Sequence, residues 1–245
     1  MSEEENICAY KEKVIMTADT FAATLEELGV VKFAGSVVGK YREENETDWD
    51  KVKRHNDTAL ELKKKYGDKY IVGFGVHPRF VKESLAEIDR MHALGVKLVG
   101  ELVPYMDGYS YADSGFDEIL DRIEKYGMIL SLHTMEEEAM DAMLEKHKII
   151  TIGAHPGEKR SVMAHIERMK RFDHYYLDIS GTGVFRHGMI RYVMDSVGAE
   201  RILYGSDFPT CNPSVFYGSV VHDSLLSDKE REMLFYYNAA KLLNI

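Results

Sequence analysis

Six polar side chains follow six apolar, strand-like runs of this sequence. They are three histidines, two acids and a serine: His77, Glu101, His133, His155, Ser180 and Asp207. The carboxyl ends of parallel strands meet at one edge of a sheet, so these side chains are expected to converge. Neutral imidazole and carboxylate are ligands of Zn²⁺ and similar divalent ions. A lone histidine at a strand end is more often a hydrogen-bonded structural residue, and a lone acid is more often a cap or turn residue. Their recurrence at successive strand ends predicts a metal site.

The runs that carry these residues alternate with amphipathic helical segments. Seven runs have the pattern of buried strands: residues 32–38, 70–76, 96–102, 128–133, 149–155, 175–180 and 201–207. Residues 17–29 and 114–127 are typical of helices, and in the second Ser114 is a candidate N-cap and Gly127 a stop. Such alternation indicates an α/β fold with a parallel sheet. A distorted (β/α)8 TIM barrel fits the length of ~250 residues typical of that fold, with a doubly wound open sheet as the alternative.

The first strand of the barrel is predicted to be missing or degenerate. Before the helix at residue 17, the only candidate is the short run at residues 13–16, and residues 1–16 are predicted to form an irregular N-terminal segment. No Pro/Ser-rich linker or change of composition divides the chain. Residues 1–245 are therefore predicted to form a single barrel domain.

Composition narrows the classes of partner. Hydrophobic residues make up 45% of the chain. Its 41 acidic and 31 basic residues give a net charge of −10, and this negative charge argues against nucleic acid or an anionic membrane surface as the main partner. Cys8 and Cys211 form no CxxC pair, which fits a reducing compartment. Without a signal peptide or an apolar run of roughly 18 residues, the sequence predicts a cytoplasmic protein that could form a homo-oligomer.

Other chemistry finds little support. No GxSxG motif is present, and nothing marks the thiol of Cys211 as activated. Four further histidines lie in helical segments among charged neighbours and are predicted to be solvated: His55, His92, His147 and His165.

Residues 17–245 resemble the amidohydrolase-related branch of the metal-dependent hydrolase superfamily. The resemblance rests on VKLVGEL, MILSLHT, IITIGAHPG, YYLDISG, RILYGSDFP and NAAKLL, in the family's order and spacing. GVHP at 75–78 and GEL at 100–102 are also similar to motifs of the TatD-type metal-dependent deoxyribonucleases.

The resemblance implies a distorted TIM barrel that holds one or two divalent metals, with Zn²⁺ the favoured ion. By motif, the metal ligands would be Glu101, His133, His155 and Asp207. Asp207 would also take the proton of a metal-bound water, and His155 would serve as a ligand or as an acid/base.

These residues suggest metal-assisted hydrolysis of an amide, ester, lactone or phosphodiester in a small-molecule substrate. Asp207 would act as general base, and His155 would stabilise or protonate the developing oxyanion or leaving group. Three residues on loops expected at the mouth of the barrel are candidates for binding a substrate carboxylate or phosphate: His77, Arg79 and Tyr105.

One expected motif is missing, and it leaves alternatives open. The family's first strand ends in His-x-His, and this sequence has no such pair. We expect either that the first strand lies upstream of Met1, which we favour, or that the protein is a relative that binds without catalysis. The family also includes decarboxylases of aromatic or unsaturated acids that use the same site, which is the alternative to hydrolysis.

Overall fold

The computed structural model describes residues 17–157, 159–182 and 186–245. The chain divides into two compact units, Met1–Ile150 (unit 1) and Thr151–Ile245 (unit 2). The predicted irregular segment at residues 1–16, with its candidate strand at 13–16, lies outside the described residues. The assignment of residues 1–245 to one barrel domain stays a prediction.

Unit 1 contains parallel strands that pair in chain order. They are β1 (Phe33–Gly35), β2 (Tyr70–Phe74), β3 (Leu98–Leu102) and β4 (Ile129–His133). In β3 and β4 every residue is buried except Glu101 and His133, which are half-buried. Apolar side chains thus hold these strands in the core, while Glu101 and His133 reach a less enclosed position.

In unit 1 one α-helix precedes β1, and at least one α-helix follows each strand. The helices are α1 (Ala18–Glu27), α2 (Asp48–Tyr66), α3 (Val81–Ala93), α4 (Pro104–Asp107), α5 (Phe116–Lys125) and α6 (Glu137–Lys146). The predicted helix at 17–29 is confirmed as α1. Thr17 caps it, since its hydroxyl accepts a hydrogen bond from the Thr20 amide at 3.2 Å.

Helix α5 confirms the predicted helix at 114–127 but corrects its start. Its buried face consists of the four apolar residues expected from the spacing: Phe116, Ile119, Leu120 and Ile123. The N-cap is Gly115, and no side chain caps the helix. The prediction that Ser114 caps it is therefore wrong; the first turn begins one residue later, where Phe116 enters the core.

A buried lysine ties α2 to the segment after β3. Lys51 is only 1% exposed, and its Nζ lies 2.8 Å from Asp107 Oδ1. The same ammonium donates to the carbonyl oxygens of Met106 at 2.8 Å and Gly39 at 3.3 Å. A buried charge needs such partners, so Lys51 fixes the loop after β1 and helix α4 relative to each other.

Unit 2 contains three further parallel strands, also paired in chain order. They are β5 (Thr151–Ala154), β6 (Tyr175–Asp178) and β7 (Ile202–Leu203). Its helices are α7 (Lys159–Arg171), α8 (Met189–Val197), α9 (Pro213–Val221), α10 (Asp228–Glu232) and α11 (Asn238–Leu243), with a π-helical turn at Met233–Tyr237.

The described residues thus form an α/β fold with seven parallel strands, and each strand lies within one of the seven predicted runs. The parallel alternation is confirmed. An eighth strand, and with it a closed barrel, stays a prediction. None of the helices in the described ranges combines the length and the hydropathy that a membrane crossing requires.

Candidate metal centre

A carboxylate and an imidazole face each other on adjacent strands of unit 1. Glu101 lies on β3 and His133 is the last residue of β4, and Glu101 Oε1 lies 2.9 Å from His133 Nδ1. About a quarter of each side chain is exposed, 25% for Glu101 and 24% for His133. An ionised carboxylate only accepts hydrogen bonds, so the imidazole donates its Nδ1–H in this pair. The two strand-end residues are brought together as the sequence predicts.

Gly100 allows this approach of β3 to β4. A Cβ atom at this position would lie 2.1 Å from the Ser131 carbonyl oxygen, and the φ of Gly100 is +103°, which L side chains rarely adopt. Only glycine meets both conditions without displacing the neighbouring strand. The residue before Glu101 therefore determines how closely the carboxylate can stand to His133.

Hydrogen bonds from two side-chain hydroxyls hold the backbone at Glu101 and His133. The Ser36 hydroxyl donates to the Glu101 carbonyl oxygen at 3.3 Å. The buried Tyr111 hydroxyl lies 3.0 Å from the carbonyl oxygens of both Leu102 and His133, so it links the ends of β3 and β4. These contacts fix the backbone that carries the pair.

An aromatic ring and a lysine lie beside His133. The ring of Tyr105 meets the His133 ring edge-on, with centroids 5.2 Å apart. The Nζ of Lys40 lies 5.4 Å from the centroid of the Tyr105 ring, in the range of a cation–π contact. Tyr105 is 50% exposed, so part of its ring faces solvent next to the pair. Its predicted role in substrate binding stays a prediction.

His77 is enclosed by protein groups. It is fully buried, and burial lowers its pKa. Its Nδ1 accepts from the Arg79 amide at 3.2 Å, so the neutral ring must donate its Nε2–H to the Asp107 carbonyl oxygen, also at 3.2 Å. Arg79 itself is 56% exposed at its side chain and reaches Asp113 Oδ2 at 3.2 Å. The predicted contacts of His77 and Arg79 with a substrate stay predictions.

In unit 2, His155 follows β5 in a left-handed backbone conformation, with φ +72°. Its amide donates to Asp178 Oδ1 at 3.2 Å, and its Nδ1 lies 3.0 Å from the Ser180 hydroxyl. Non-glycine residues in this conformation cost of order 1–3 kcal/mol and are found at functional sites more often than elsewhere. The carboxylate of Asp178 and the hydroxyl of Ser180 therefore hold His155 in a geometry it would otherwise rarely adopt.

Asp207 lies in the turn after β7 and is likewise left-handed, with φ +55°. Its carbonyl oxygen accepts from the Cys211 amide at 2.9 Å, and the Cys211 sulfur lies 3.8 Å from Asp207 Oδ2. Burial, together with the charge of Asp207, raises the pKa of the Cys211 thiol. The thiol thus stays protonated at neutral pH, which argues against a nucleophilic role.

The four histidines predicted to be solvated differ in their exposure to solvent. His92 is exposed and stacks on Tyr126, with ring centroids 3.9 Å apart. The prediction is wrong for the other three, which are buried: His55, His147 and His165. His55 and His165 lie on buried faces of α2 and α7, while His147 directly follows α6 and its Nδ1 lies 3.2 Å from Glu124 Oε2.

The residues of the site fit a divalent metal. Glu101 and His133 offer an oxygen and a nitrogen ligand, the donor types that Zn²⁺ and Mn²⁺ take in proteins. A metal ion in place of the proton between Glu101 Oε1 and His133 Nδ1 would have both of these atoms as ligands. That His155 and Asp207 supply further ligands stays a prediction.

Comparison with known proteins places the chain in a family. A family model described as Amidohydrolase matches residues 13–245, and the chain belongs to this family. It is therefore a member of a family of metal-dependent enzymes. The resemblance to amidohydrolases inferred from the sequence motifs is confirmed; the TatD-like features stay a prediction. No curated protein sequence matches the chain.

Solved structures share its fold at low sequence identity. A 2,6-dihydroxybenzoate decarboxylase from Rhizobium has a TM-score of 0.75 at 15% identity, covering 95% of this chain and 90% of its own. A dihydroxybenzoic acid decarboxylase from a Polaromonas species, solved with bound manganese, has a TM-score of 0.71 at 15% identity, covering 94% and 86%. A 5-carboxyvanillate decarboxylase from Sphingomonas paucimobilis has a TM-score of 0.71 at 14% identity, covering 94% and 84%.

Sequence reasoning missed several residues around the predicted ones. Tyr111 and Lys40 lie in loops, where no periodic pattern indicates a direction for the side chain. Asp178 carried a readable signal, since it is a lone acid in the strand-like run YYLDIS, the same pattern that drew attention to Asp207.

Proposed function

We propose that this chain is a metal-dependent decarboxylase that acts on an aromatic carboxylic acid. The observation that carries the proposal is the Glu101–His133 pair, 2.9 Å apart, with the exposed ring of Tyr105 edge-on to the imidazole. Such a site offers ligands for a metal and an aromatic surface for a substrate ring side by side. The decarboxylase activity named for three proteins of the same fold supports this reading over the hydrolase that the motifs alone favour.

The metal would be held by Glu101 and His133, with His155 and Asp207 kept from the sequence prediction as further ligands. When bound, it would supply positive charge that polarises substrate oxygens and lowers the pKa of bound water. The donor set takes either Zn²⁺, which the family resemblance favours, or Mn²⁺, which the Polaromonas enzyme contains.

Residues of unit 1 would bind and orient the substrate. The half-exposed ring of Tyr105 offers an edge or a face to an aromatic acid. The ammonium of Lys40, held over that ring, and the exposed guanidinium of Arg79 are two cations of unit 1 that would bind a substrate carboxylate. We expect Tyr105 to affect binding of the ring, and Lys40 or Arg79 to affect binding of the carboxylate.

Decarboxylation needs a proton as well as a charge. When carbon dioxide leaves, the electron pair of the broken carbon–carbon bond stays on the ring carbon, which must then take up a proton. Asp207 and His155 are the proposed proton donors, as they are the proposed base and acid in the hydrolytic alternative. The same two residues can therefore serve either reaction, and the substrate decides between them.

The proposal is tested by metal-dependent release of carbon dioxide. Purified protein loaded with Zn²⁺ or Mn²⁺ is incubated with a panel of hydroxylated and methoxylated benzoates, and carbon dioxide is measured. We expect release that stops on chelation and falls by at least 10²-fold in Asp207→Asn, in line with the loss of a general acid or base. Asp68→Asn, at a fully exposed carboxylate, is the matched control and should keep wild-type turnover.

Hydrolysis is the second candidate, favoured by the family model itself, which is described as Amidohydrolase. Amides, esters, lactones and phosphodiesters assayed with the same metal-loaded protein separate the two. Metal-dependent cleavage without carbon dioxide would replace the decarboxylase proposal with hydrolysis. A protein that binds metal poorly and turns over neither class would be the non-catalytic relative.

A further inference from the structure

The ring of His155 is held by a chain of hydrogen bonds that ends on a carboxylate. Asp178, the last residue of β6, accepts from the Ser180 amide at 2.8 Å and from the Ser180 hydroxyl at 2.5 Å, both through Oδ1. The Ser180 oxygen in turn lies 3.0 Å from His155 Nδ1. Ser180, in the middle of this relay of hydrogen bonds, is buried, with 4% of its surface exposed, while His155 and Asp178 are half-buried.

The chemistry of these groups fixes the direction of every hydrogen bond. A carboxylate can only accept, and a serine hydroxyl has a single proton to donate. Because that proton goes to Asp178, the Ser180 oxygen can only accept from His155. The nitrogen that donates to it is then Nδ1–H, and the neutral ring carries its lone pair on Nε2.

The peptide of His155 is clamped as well. Its amide donates to Asp178 Oδ1 at 3.2 Å. Its carbonyl oxygen lies 3.1 Å from Nε2 of His165, a fully buried ring whose Nδ1 faces the Tyr175 hydroxyl at 2.9 Å. A carbonyl oxygen accepts, so His165 donates from Nε2 and takes the Tyr175 proton on Nδ1.

Gly181 leaves room for the ring in this position. A Cβ atom there would lie 2.3 Å from His155 Nδ1, and its own φ is +66°. Any other residue after Ser180 would push the imidazole off the hydroxyl. The segment Asp178–Gly181 thus positions the His155 ring: Asp178 accepts from the Ser180 hydroxyl, Ser180 contacts the ring, and Gly181 leaves space for it.

We propose that Asp178 and Ser180 are positioning residues that hold His155 in its Nδ1–H tautomer and present Nε2 to the metal or substrate. The tautomer follows from unit 2 alone, whereas the role of Nε2 rests on the proposed function. Groups that accept the second proton of a metal-binding histidine orient the ring and raise its basicity, and their loss typically costs 10–100-fold in metal affinity.

The tautomer is read directly by long-range ¹H–¹⁵N NMR of protein labelled at histidine, without added metal. The His155 signals are identified by their loss in His155→Gln. We expect the pyrrole-type nitrogen at Nδ1 and the pyridine-type nitrogen at Nε2. In Ser180→Ala the ring loses its acceptor, and we expect a mixture of tautomers; Ser180→Thr restores the hydroxyl and should restore the wild-type spectrum.

Zn²⁺ affinity, measured by competition with a chromophoric chelator, gives the second readout. We expect Ser180→Ala to bind Zn²⁺ 10–100-fold more weakly, and Ser180→Thr to stay near wild type. Ser196→Ala is the matched control, since its hydroxyl donates to the Tyr192 carbonyl oxygen within α8. Circular dichroism confirms that each variant is folded.

Two results would overturn the inference. A wild-type His155 protonated on Nε2 would contradict the relay, whether or not the protein binds metal. A Ser180→Ala protein with the wild-type tautomer and wild-type Zn²⁺ affinity would remove Ser180 from the role. If wild-type protein binds no Zn²⁺, the proposed function fails, and the NMR spectrum still decides the tautomer.

Discussion

His55 in α2 makes part of the stability of this protein depend on pH. Its imidazole is only 5% exposed, and burial, reinforced by the charge of Arg54, lowers its pKa from 6.5 to about 4. Above pH 6.5 neither the folded nor the unfolded chain protonates it. Between pH 6.5 and 4 the unfolded chain binds a proton that the folded protein excludes, so the free energy of unfolding falls as the pH falls. At about 1.36 kcal/mol per pH unit over 2.5 units, the total is ~3 kcal/mol.

The test compares urea unfolding of wild type and His55→Gln at pH values from 7.5 to 4. Glutamine keeps hydrogen-bonding groups but does not titrate, so His55→Gln should lose ~3 kcal/mol less than wild type over this range. His92→Gln removes an exposed imidazole from a helix and serves as the matched control. Carboxylates and the buried His165, whose pKa burial lowers to about 3, titrate alike in all three proteins.

The difference between curves therefore isolates His55. Curves for wild type and His55→Gln that run parallel from pH 7.5 to 4 would refute the reasoning. A His92→Gln curve that loses the same pH dependence would refute it too, since burial would then not be the cause.

Three further predictions concern the surroundings of the Glu101–His133 pair. Gly100→Ala should destabilise the protein by more than about 2 kcal/mol in thermal or urea unfolding, because its Cβ would meet the Ser131 carbonyl oxygen at 2.1 Å. Lys51→Met should cost about 3 to 5 kcal/mol in urea unfolding, since it leaves Asp107 without its buried partner. Tyr105→Ala should raise KM for an aromatic acid by ~2–10-fold in steady-state assays, because the substrate ring would lose one aromatic contact.

Each of these changes has a matched control. Gly29→Ala also places a side chain at a positive φ, +77°, but without a contact within 4 Å, so it should cost less than Gly100→Ala. Lys53→Met breaks an exposed ion pair with Asp57 and should cost no more than about 1 kcal/mol. Tyr41→Ala removes another half-exposed tyrosine and should leave KM unchanged. Equal effects in a variant and its control would contradict the corresponding prediction.

The strands were predictable because their signal is local. Runs such as MILSLH and IITIGAH are predominantly apolar, as is typical of strands buried on both faces, and each contains an observed strand. The order of the strands along the chain was then enough to predict that Glu101 and His133 lie close together, since sequential parallel strands neighbour each other.

The environment of the histidines was not predictable in the same way. Whether a helical histidine is buried depends on which face meets the rest of the fold, and charged neighbours one residue away lie on another face. His165 illustrates this, because it is fully buried against Tyr175 although Glu167, two residues further along the helix, is exposed. The relay through Asp178 was hidden for a similar reason, since only the fold brings β5 and β6 side by side.

Binding of Zn²⁺ to wild type and Glu101→Gln tests most directly whether the Glu101–His133 pair holds a metal. The substitution keeps the shape of the side chain and removes its charge. We predict saturable binding to wild type and an affinity at least 10–100-fold lower in Glu101→Gln, while Glu61→Gln, at an exposed carboxylate, binds like wild type. Equal Zn²⁺ affinity in wild type and Glu101→Gln would contradict the proposed metal centre.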